Sequence, residues 1–321
     1  MYTIDQLIDL VNKAISEPRF NREPDTLYAP IRYILSLGGK RIRPVLMLMG
    51  YNIYENDVER ILNNAIALEV YHNFTLLHDD LMDRSELRRG NATVHMKWDD
   101  NTAILSGDTM LIMAYELFQS GVRNNEALDE FIKATLGVCE GQQYDMDFEK
   151  RLDVKESEYM EMIRMKTSLL LGYALKIGAM LGRASKEDAE LLYDFGEKMG
   201  LAFQLQDDLL DVYGDPAVFR KKLGGDIVEN KKTFLLIKAL ELASETQLDT
   251  LKHWLSINDN NEAKIEAVTN IYNEIGIKSL TEKKIEEIFA ASLESLDKVG
   301  MSDDKKQPLR DFANRLMGRK Y

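Results

Sequence analysis

The sequence contains a single cysteine, Cys139. One thiol cannot form a disulfide within the chain, so a secreted disulfide scaffold is excluded and a reducing cytoplasm is expected. We expect Cys139 itself to be a small core residue. The first residues carry neither a basic cluster nor an apolar stretch, so no signal peptide is expected.

Positive charge is scarce, and long apolar runs are missing. The chain has 41 Lys and Arg against 54 Asp and Glu, a net charge of −13, which argues against a nucleic-acid-binding surface. The most apolar tract, residues 169–181, is interrupted by Lys176 and is too short to span a bilayer. We therefore expect a soluble, cytoplasmic protein with no nucleic-acid partner and no membrane span.

The signals of β-structure are also weak. There are only six prolines and no sustained alternation of apolar and polar residues between turn residues. Apolar residues recur instead at helical spacing, for example over residues 4–15, 56–82, 155–181 and 186–212. No linker or change of composition marks a boundary. The sequence predicts one all-α domain over residues 1–321.

Two acidic motifs stand out in this helical background. They read His-Asp-Asp-Leu-Met-Asp at 78–83 and Gln-Asp-Asp-Leu-Leu-Asp at 206–211. At 3.6 residues per turn, the first and last Asp of each Asp-Asp-x-x-Asp share a helix face. Their charges repel, and Mg²⁺ held by carboxylates and substrate phosphates would offset that repulsion. Two such helices are expected to face each other across a cavity. The candidate metal ligands are Asp79, Asp80, Asp83, Asp207, Asp208 and Asp211.

Basic residues lie in loops near these motifs. Three cations occur at 40–43 where a helix is expected to begin, Arg88 and Arg89 follow the first motif, and Lys-Lys pairs at 221–222 and 231–232 follow the second. A helix start attracts anions, and Lys and Arg bind phosphate directly. Together, these basic loops predict that the protein binds diphosphates. Taken singly, each loop could equally be a solvated turn.

These motifs resemble the trans-isoprenyl diphosphate synthases, or polyprenyl synthetases, over nearly the whole chain. Further matching text is Gly-Gly-Lys-Arg-Ile-Arg-Pro at 38–44, Arg-Arg-Gly at 88–90, Thr-Val-His at 93–95 and Gly-Asp at 107–108. It continues with Gly-Gln-x-x-Asp at 141–145, Met-Lys-Thr at 165–167, Phe-Gln at 203–204, and Gly-Asp and Glu-Asn-Lys within 225–231. The resemblance implies the all-helical isoprenoid synthase type I fold, with a deep central cavity and a homodimer.

The resemblance also implies the reaction. Isopentenyl diphosphate would be joined head to tail to an allylic diphosphate (dimethylallyl, geranyl or farnesyl), with three Mg²⁺ ions. Asp79, Asp83 and Asp207 would ligate Mg²⁺, and the other three aspartates would add charge or outer contacts. By the same correspondence, the allylic diphosphate would be held by Arg88, Lys166 and Lys231, and isopentenyl diphosphate by Lys40, Arg43, His72 and Arg89. Thr167 and Gln204 would aim dipoles at the carbocation, and the lost proton would go to pyrophosphate.

Two positions depart from the family pattern. Residues 219–226 replace the usual Gly-Lys, so either Lys221 or Lys222 would take the ligand role. Asn230 stands where the family often has glycine, which Asn tolerates because it accepts left-handed backbone geometry.

An aromatic pair precedes the first motif. Phe74 lies five residues before Asp79, and Tyr71 lies one turn earlier on the same face. Their rings are expected to point down the cavity and stop the growing chain. In the family, this placement resembles short-chain enzymes that make geranylgeranyl diphosphate, with farnesyl diphosphate next. The alternative is that Phe74 is a core residue.

Other functions predict a different sequence. A longer-chain polyprenyl synthase would have small residues at the Phe74 position, and a class I terpene cyclase would have a different second motif. A non-catalytic partner subunit would lack one motif, and a helical binding protein would need neither. Glu69 and His72 have di-iron spacing, but no second Glu-x-x-His occurs.

Overall fold

The computed structural model describes residues 2–215, 223–257 and 261–318. Within these ranges the chain is helical almost throughout, and the strands are limited to the hairpin formed by β1 (Leu87–Arg88) and β2 (Asn91–Ala92). The prediction of an all-α fold is confirmed.

The helix bounds follow the chain from end to end. The α-helices are α1 (Ile4–Ile15), α2 (Asp25–Ser36), α3 (Ile42–Asn52), α4 (Leu62–Met82), α5 (Val94–Lys97), α6 (Asp100–Ser120), α7 (Asn125–Glu149), α8 (Glu156–Ile163), α9 (Leu169–Leu181), α10 (Lys186–Tyr213), α11 (Gly225–Val228), α12 (Phe234–Leu242), α13 (Glu245–Leu255), α14 (Asn261–Ile275), α15 (Ile277–Lys298) and α16 (Asp303–Met317). Short 3₁₀ turns occupy Pro18–Phe20 and Val58–Ile61, and a π turn occupies Arg164–Ser168.

Helix α1 shows why its bounds could be read from the sequence. Thr3 accepts a hydrogen bond from the backbone N–H of Gln6, and the Gln6 side chain accepts one from the Thr3 N–H. This capping box satisfies two donors that the helix start would otherwise leave unpaired. The helix then buries Leu7 and Val11 on one face. The predicted helix over residues 4–15 is confirmed.

Three regions differ from the sequence-based expectation. The helix expected over 56–82 begins as a 3₁₀ turn and becomes α-helical at Leu62. The helix expected over 155–181 is interrupted by the π turn. Cys139 is exposed on α7, so the expectation of a core cysteine is wrong, because helical spacing alone does not show which face of α7 is covered.

The described residues group into two compact units that are interleaved along the chain. Unit 1 comprises Met1–Thr135, Tyr173–Tyr193 and Gly300–Pro308, and unit 2 comprises Leu136–Gly172, Asp194–Val299 and Leu309–Tyr321. No single cut in the chain separates them. One domain over residues 1–321 stays a prediction.

Unit 1 has a core built around α4. Its buried side chains include Ile66, Val70 and, on α6, Met110. Phe118 of α6 stacks on Phe131 of α7, with ring centroids 4.5 Å apart. The extensive packing of α4 on α6 fixes the C-terminal end of α4, where the first acidic motif lies.

Unit 2 has its own core beneath the second acidic motif. Leu205 and Leu209 of α10 are fully buried beside Tyr159 of α8, Phe234 of α12 and Tyr272 of α14. These apolar contacts fix the position of α10, which carries the second acidic motif. None of the helices in the described part of the chain is long and apolar enough to cross a membrane.

Candidate active site

The first acidic motif ends helix α4. Asp79 and Asp80 lie in its last turn, and Asp83 is the C-terminal cap, whose N–H bonds the carbonyl of Asp79. Asp83 is exposed and Asp79 half-buried, whereas Asp80 is only 2% exposed. Burial raises the pKa of Asp80, although Arg88 opposes the rise. The outer two aspartates are therefore the accessible ones.

Arg88 reaches the motif from the β1–β2 hairpin. Its Nε lies 3.0 and 3.1 Å from the two Asp80 carboxylate oxygens, and its Nη2 lies 2.6 Å from Oδ1. The same Nη2 is 3.7 Å from Asp79. A bidentate guanidinium–carboxylate pair is strong and fixes orientation. Asp80 thus holds Arg88 beside Asp79.

A second cationic group in unit 1 surrounds His72. Burial and the guanidinium groups of Arg43 and Arg89 hold the pKa of His72 well below its usual value. The ring is therefore neutral, and its Nε2 accepts a hydrogen bond from Arg43 Nη1 at 3.1 Å. Burial also lowers the pKa of Arg43 to about 10. The buried Nε of Arg43 has no hydrogen-bond partner among the residues that the structure describes. An orphaned guanidinium N–H in a basic pocket fits an anionic ligand.

Arg89 and Lys40 lie at the edge of this group. Arg89, with φ +54°, donates to the carbonyl oxygen of Gly38, and its guanidinium covers Gly39. Lys40 is exposed in the loop before α3. The third cation of that loop, Arg41, is instead buried in an ion pair with Glu69 at 2.6 Å. Sequence reasoning did not foresee this pair, which gives Glu69 a structural partner.

The aromatic pair lies upstream of the motif on α4. Phe74 contacts Tyr71 and His78, with ring centroids 5.5 and 4.8 Å apart. Tyr71 is fully buried, and its hydroxyl donates to the carbonyl of Thr135 at 2.6 Å. Tyr71 therefore backs the Phe74 ring from the core. Their role in chain length stays a prediction.

The second acidic motif lies in the last turns of α10. Asp208 is buried, and its carboxylate accepts hydrogen bonds from the Tyr159 hydroxyl and, at 2.9 Å, from Gln204 Nε2. Burial, with the charges of Asp207 and Asp211, raises the pKa of Asp208 above its usual range. Asp207 and Asp211 are half-buried. As in the first motif, the middle aspartate is the inaccessible one.

A fourth carboxylate joins this motif from the turn after it. Asp226 Oδ1 lies 3.9 Å from Lys231 Nζ, and the Asp226 backbone N–H donates to Asp211 Oδ2 at 3.0 Å. Burial and the charges of Asp208 and Asp211 raise its pKa. Sequence reasoning gave Asp226 no role, although Gly-Asp at 225–226 was part of the matching text. Lys221 and Lys222 lie outside the described residues.

Lys166 and Thr167 sit in the π turn between α8 and α9. Lys166 Nζ pairs with Asp145 at 2.6 Å, and Thr167 Oγ1 donates to Gln204 Oε1 at 3.1 Å. Such single-turn π bulges are frequent at functional sites. The structure therefore brings together Thr167, Gln204 and Asp208 in one chain of hydrogen bonds.

The donor set fits a divalent metal bound together with its substrate. Among the described residues, no three carboxylate, imidazole or thiol groups form a ready-made metal cluster. Mg²⁺ does not need one, since it is commonly held by one or two carboxylates plus substrate phosphates. In unit 2, burial and then the charges of neighbouring aspartates raise the pKa values of Asp208 and Asp226, and a bound divalent cation would offset the repulsion between these carboxylates. That two acidic helices face each other across a cavity stays a prediction.

Comparison with known proteins agrees with this site. The family model described as polyprenyl synthetase matches residues 24–275. A geranylgeranyl diphosphate synthase of Methanosarcina mazei is 38% identical over 315 residues, which are 97% of this chain and 95% of the relative.

Solved structures give the same result. A crystal structure of a geranylgeranyl pyrophosphate synthase is 43% identical and matches with a TM-score of 0.92 over 100% of both chains. A polyprenyl synthase from Caulobacter crescentus, complexed with calcium and isoprenyl diphosphate, is 27% identical with a TM-score of 0.87, over 99% of this chain and 98% of that one. With two aspartate motifs, the cations beside them and these matches, the chain belongs to the polyprenyl synthetase family of prenyltransferases.

Proposed function

We propose that this prenyltransferase condenses isopentenyl diphosphate with an allylic diphosphate in the presence of Mg²⁺ and releases geranylgeranyl diphosphate. The observation that carries the proposal is a cation suited to diphosphate near each motif. Arg88 lies beside Asp79 in unit 1, and in unit 2 Lys231 lies beside Asp226, whose N–H donates to Asp211. The relative from Methanosarcina mazei supports the product, as does Phe74 upstream of the first motif.

The metal would be held by the accessible aspartates. Asp79, Asp83 and Asp207 are the proposed ligands of three Mg²⁺ ions. In unit 2, the Asp226 N–H donates to the Asp211 carboxylate and so brings a fourth carboxylate to the second motif. When bound, Mg²⁺ would neutralise charge on the departing pyrophosphate. Asp80 and Asp208 are the buried members, and they orient Arg88 and Gln204.

The remaining residues divide between the two substrates. Arg88, Lys166 and Lys231 hold the allylic diphosphate, with Lys221 or Lys222 as a further ligand, and their charge favours cleavage of the allylic C–O bond. Lys40, Arg43, His72 and Arg89 hold isopentenyl diphosphate, whose double bond attacks the allylic cation. Thr167 and Gln204 present oxygen dipoles to that cation, and the proton lost at the end passes to pyrophosphate.

The product assay tests this proposal. Purified protein is incubated with Mg²⁺, labelled isopentenyl diphosphate and each allylic starter in turn: dimethylallyl, geranyl or farnesyl diphosphate. We expect geranylgeranyl diphosphate and no elongation in EDTA. Longer products would indicate a polyprenyl synthase, and cyclised hydrocarbons a terpene cyclase. No elongation with any starter would refute the proposal and indicate a non-catalytic subunit.

We also propose a cytoplasmic homodimer. In unit 1, helix α6 exposes Ile104, Leu105 and Ile112 by 46%, 59% and 70%, and α7 exposes Ile132 by 43%. Apolar side chains gathered in this way are typical of a protein interface. A second copy of the chain would cover them. Sedimentation should give a dimer for the wild type and a monomer for Ile112→Glu; a wild-type monomer would contradict the assembly.

The single thiol supports the cytoplasmic location, which cell fractionation tests.

A further inference from the structure

Residues 224–232 form a turn that carries two of the proposed site residues, Asp226 and Lys231. We call it the Asp226 turn. Its start is fixed to the second acidic motif, because the Gly224 N–H donates to the Asp211 carbonyl at 2.7 Å and the Asp226 N–H donates to the Asp211 carboxylate at 3.0 Å. The Lys231 N–H donates back to the Asp226 carbonyl at 2.9 Å. A shift at the end of the turn therefore reaches Asp226.

The end of the turn is held by a buried lysine on another helix. Lys264 of α14 is 1% exposed. Its ammonium donates to the Val228 carbonyl at 3.1 Å, to Asn230 Oδ1 at 2.7 Å and to the Ile257 carbonyl at 3.3 Å. All three N–H bonds of the ammonium are thus used, and all three acceptors are neutral oxygens.

Burying an ammonium group without a neighbouring carboxylate costs free energy of folding. Burial lowers the pKa of Lys264, and none of the hydrogen bonds that its ammonium makes within residues 2–215, 223–257 and 261–318 goes to a carboxylate. Two of its acceptors are carbonyls at or just beyond the ends of α11 and α13, where helices leave C=O groups unpaired. The Lys264 ammonium therefore links the C-terminal end of α11 to the end of α13 through hydrogen bonds.

Asn230 supplies the third acceptor through its side chain. Its φ is +56°, a left-handed conformation that glycine also adopts readily. Its Nδ2 donates to the Leu255 carbonyl at 3.1 Å, while its own carbonyl accepts from buried Lys232 at 2.8 Å. Glycine at this position would keep the backbone path and lose both side-chain bonds. Asn230 is bonded in a way that the family's usual glycine cannot be.

We propose that Lys264 and Asn230 are positioning residues that hold Lys231 and Asp226 in place for the metal-bound diphosphate. Neither residue touches the substrate. Asn230 directly precedes Lys231, and Lys264 fixes both Asn230 and the last carbonyl of α11, two residues after Asp226. The inference rests on the proposed function, since it assigns the Asp226 turn to the diphosphate–metal site.

Three variants test this role: Lys264→Met, which keeps the length of the side chain without its donors, Asn230→Gly, and the double variant. Lys283→Met is the matched control, because Lys283 is 76% exposed on α15. Calorimetry measures binding of inorganic pyrophosphate with Mg²⁺, hydrogen exchange follows residues 224–232, and steady-state kinetics gives KM for each substrate.

We expect both single variants to weaken pyrophosphate–Mg²⁺ binding about tenfold, as outer partners of metal sites commonly do. Exchange of the turn should accelerate, and KM should rise for the allylic diphosphate but not for isopentenyl diphosphate. The double variant should weaken binding by less than the product of the two single effects, because the two residues share one bond. If Lys264→Met does not fold, Asn230→Gly alone decides.

A lower melting temperature with unchanged pyrophosphate binding and unchanged KM values would overturn the positioning role and leave Lys264 a purely structural lysine. An equal rise in both KM values would also overturn it. Wild-type protein that binds no pyrophosphate in the presence of Mg²⁺ would instead refute the proposed function itself.

Discussion

The two Asp-Asp-x-x-Asp motifs have the same spacing, but their surroundings differ. In unit 1, the buried middle residue Asp80 is paired with the guanidinium of Arg88. In unit 2, the buried middle residue Asp208 is held by two neutral donors, Tyr159 and Gln204, and its pKa is raised. The first motif thus carries a cation as part of its structure, whereas the second gathers negative charge together with Asp226.

Within each motif, the outer and the middle aspartates are expected to have different roles. In the proposed mechanism, the accessible outer aspartates hold the metal, and the buried middle one orients the neighbour that is bonded to it, Arg88 in unit 1 and Gln204 in unit 2. Substitutions at equivalent positions of the two motifs test whether the motifs differ in this way.

The largest effect is expected from the outer aspartates. Asp79→Ala and Asp207→Ala should each lower kcat by a factor on the order of 10²–10³, the loss typical of removing one group that stabilises developing charge. Steady-state turnover at saturating Mg²⁺ measures it, with circular dichroism to show that the variants fold. Near-normal turnover of either variant would contradict its metal role and the equivalence of the two motifs.

The next effect concerns the π turn that places Lys166 and Thr167 in unit 2. A Cβ at Gly141 would lie 2.4 Å from the Lys166 backbone nitrogen, whereas a Cβ at Gly137, one turn earlier on α7, would meet only the end of the Leu169 side chain. Overpacking against backbone costs about 1–3 kcal/mol and displaces it. We expect Gly141→Ala to lower kcat about tenfold or more, with Gly137→Ala within about twofold as the control. Equal kinetics for the two variants would show that the π turn is not set by this contact.

Product length should depend on Phe74, which lies upstream of the first motif. Phe74→Ala opens space beside Tyr71 and His78, so chains longer than the wild-type product should appear. Chromatography of dephosphorylated products measures this, and Phe74→Tyr, which keeps the ring, is the control. An unchanged length distribution for Phe74→Ala would make Phe74 a core residue only.

Stability should separate the two middle aspartates. Asp80→Asn removes the bidentate charge partner of Arg88 and leaves Asp79 at 3.7 Å, so it should lower the free energy of unfolding by about 1–3 kcal/mol. Asp208→Asn can keep the bond from Tyr159 and removes repulsion with Asp207 and Asp211, so we expect a change within about 1 kcal/mol. Urea unfolding without metal measures both. A larger loss for Asp208→Asn would reverse the comparison.

The smallest expected effect is a pH dependence from the cationic group of unit 1. The pKa of His72 is well below the unfolded value near 6.5, so the unfolded chain takes up a proton that the folded chain does not. The contribution of His72 is therefore constant above that pH and is lost below it, by at most about 1.4 kcal/mol per pH unit. Stability of wild type relative to His72→Gln should fall between pH 6.5 and 5; a constant difference would contradict a neutral His72.

Local pattern predicted much of this molecule. Apolar spacing predicted α1 with its bounds, and i, i+4 spacing predicted the acidic faces of α4 and α10. Pairings between distant residues were not predictable, because they depend on tertiary packing. Arg41 was grouped with the anion-binding cations but is buried against Glu69, and Asp226 joins the second motif only through the fold of its turn.

Calorimetric titration with Mg²⁺ and inorganic pyrophosphate tests the division between outer and middle aspartates most directly. Wild type, Asp79→Ala, Asp207→Ala, Asp80→Asn and Asp208→Asn would be compared at one pH. The account predicts that both outer variants lose binding and that both middle variants retain it with reduced affinity. Middle variants that lose binding as completely as the outer ones would contradict it.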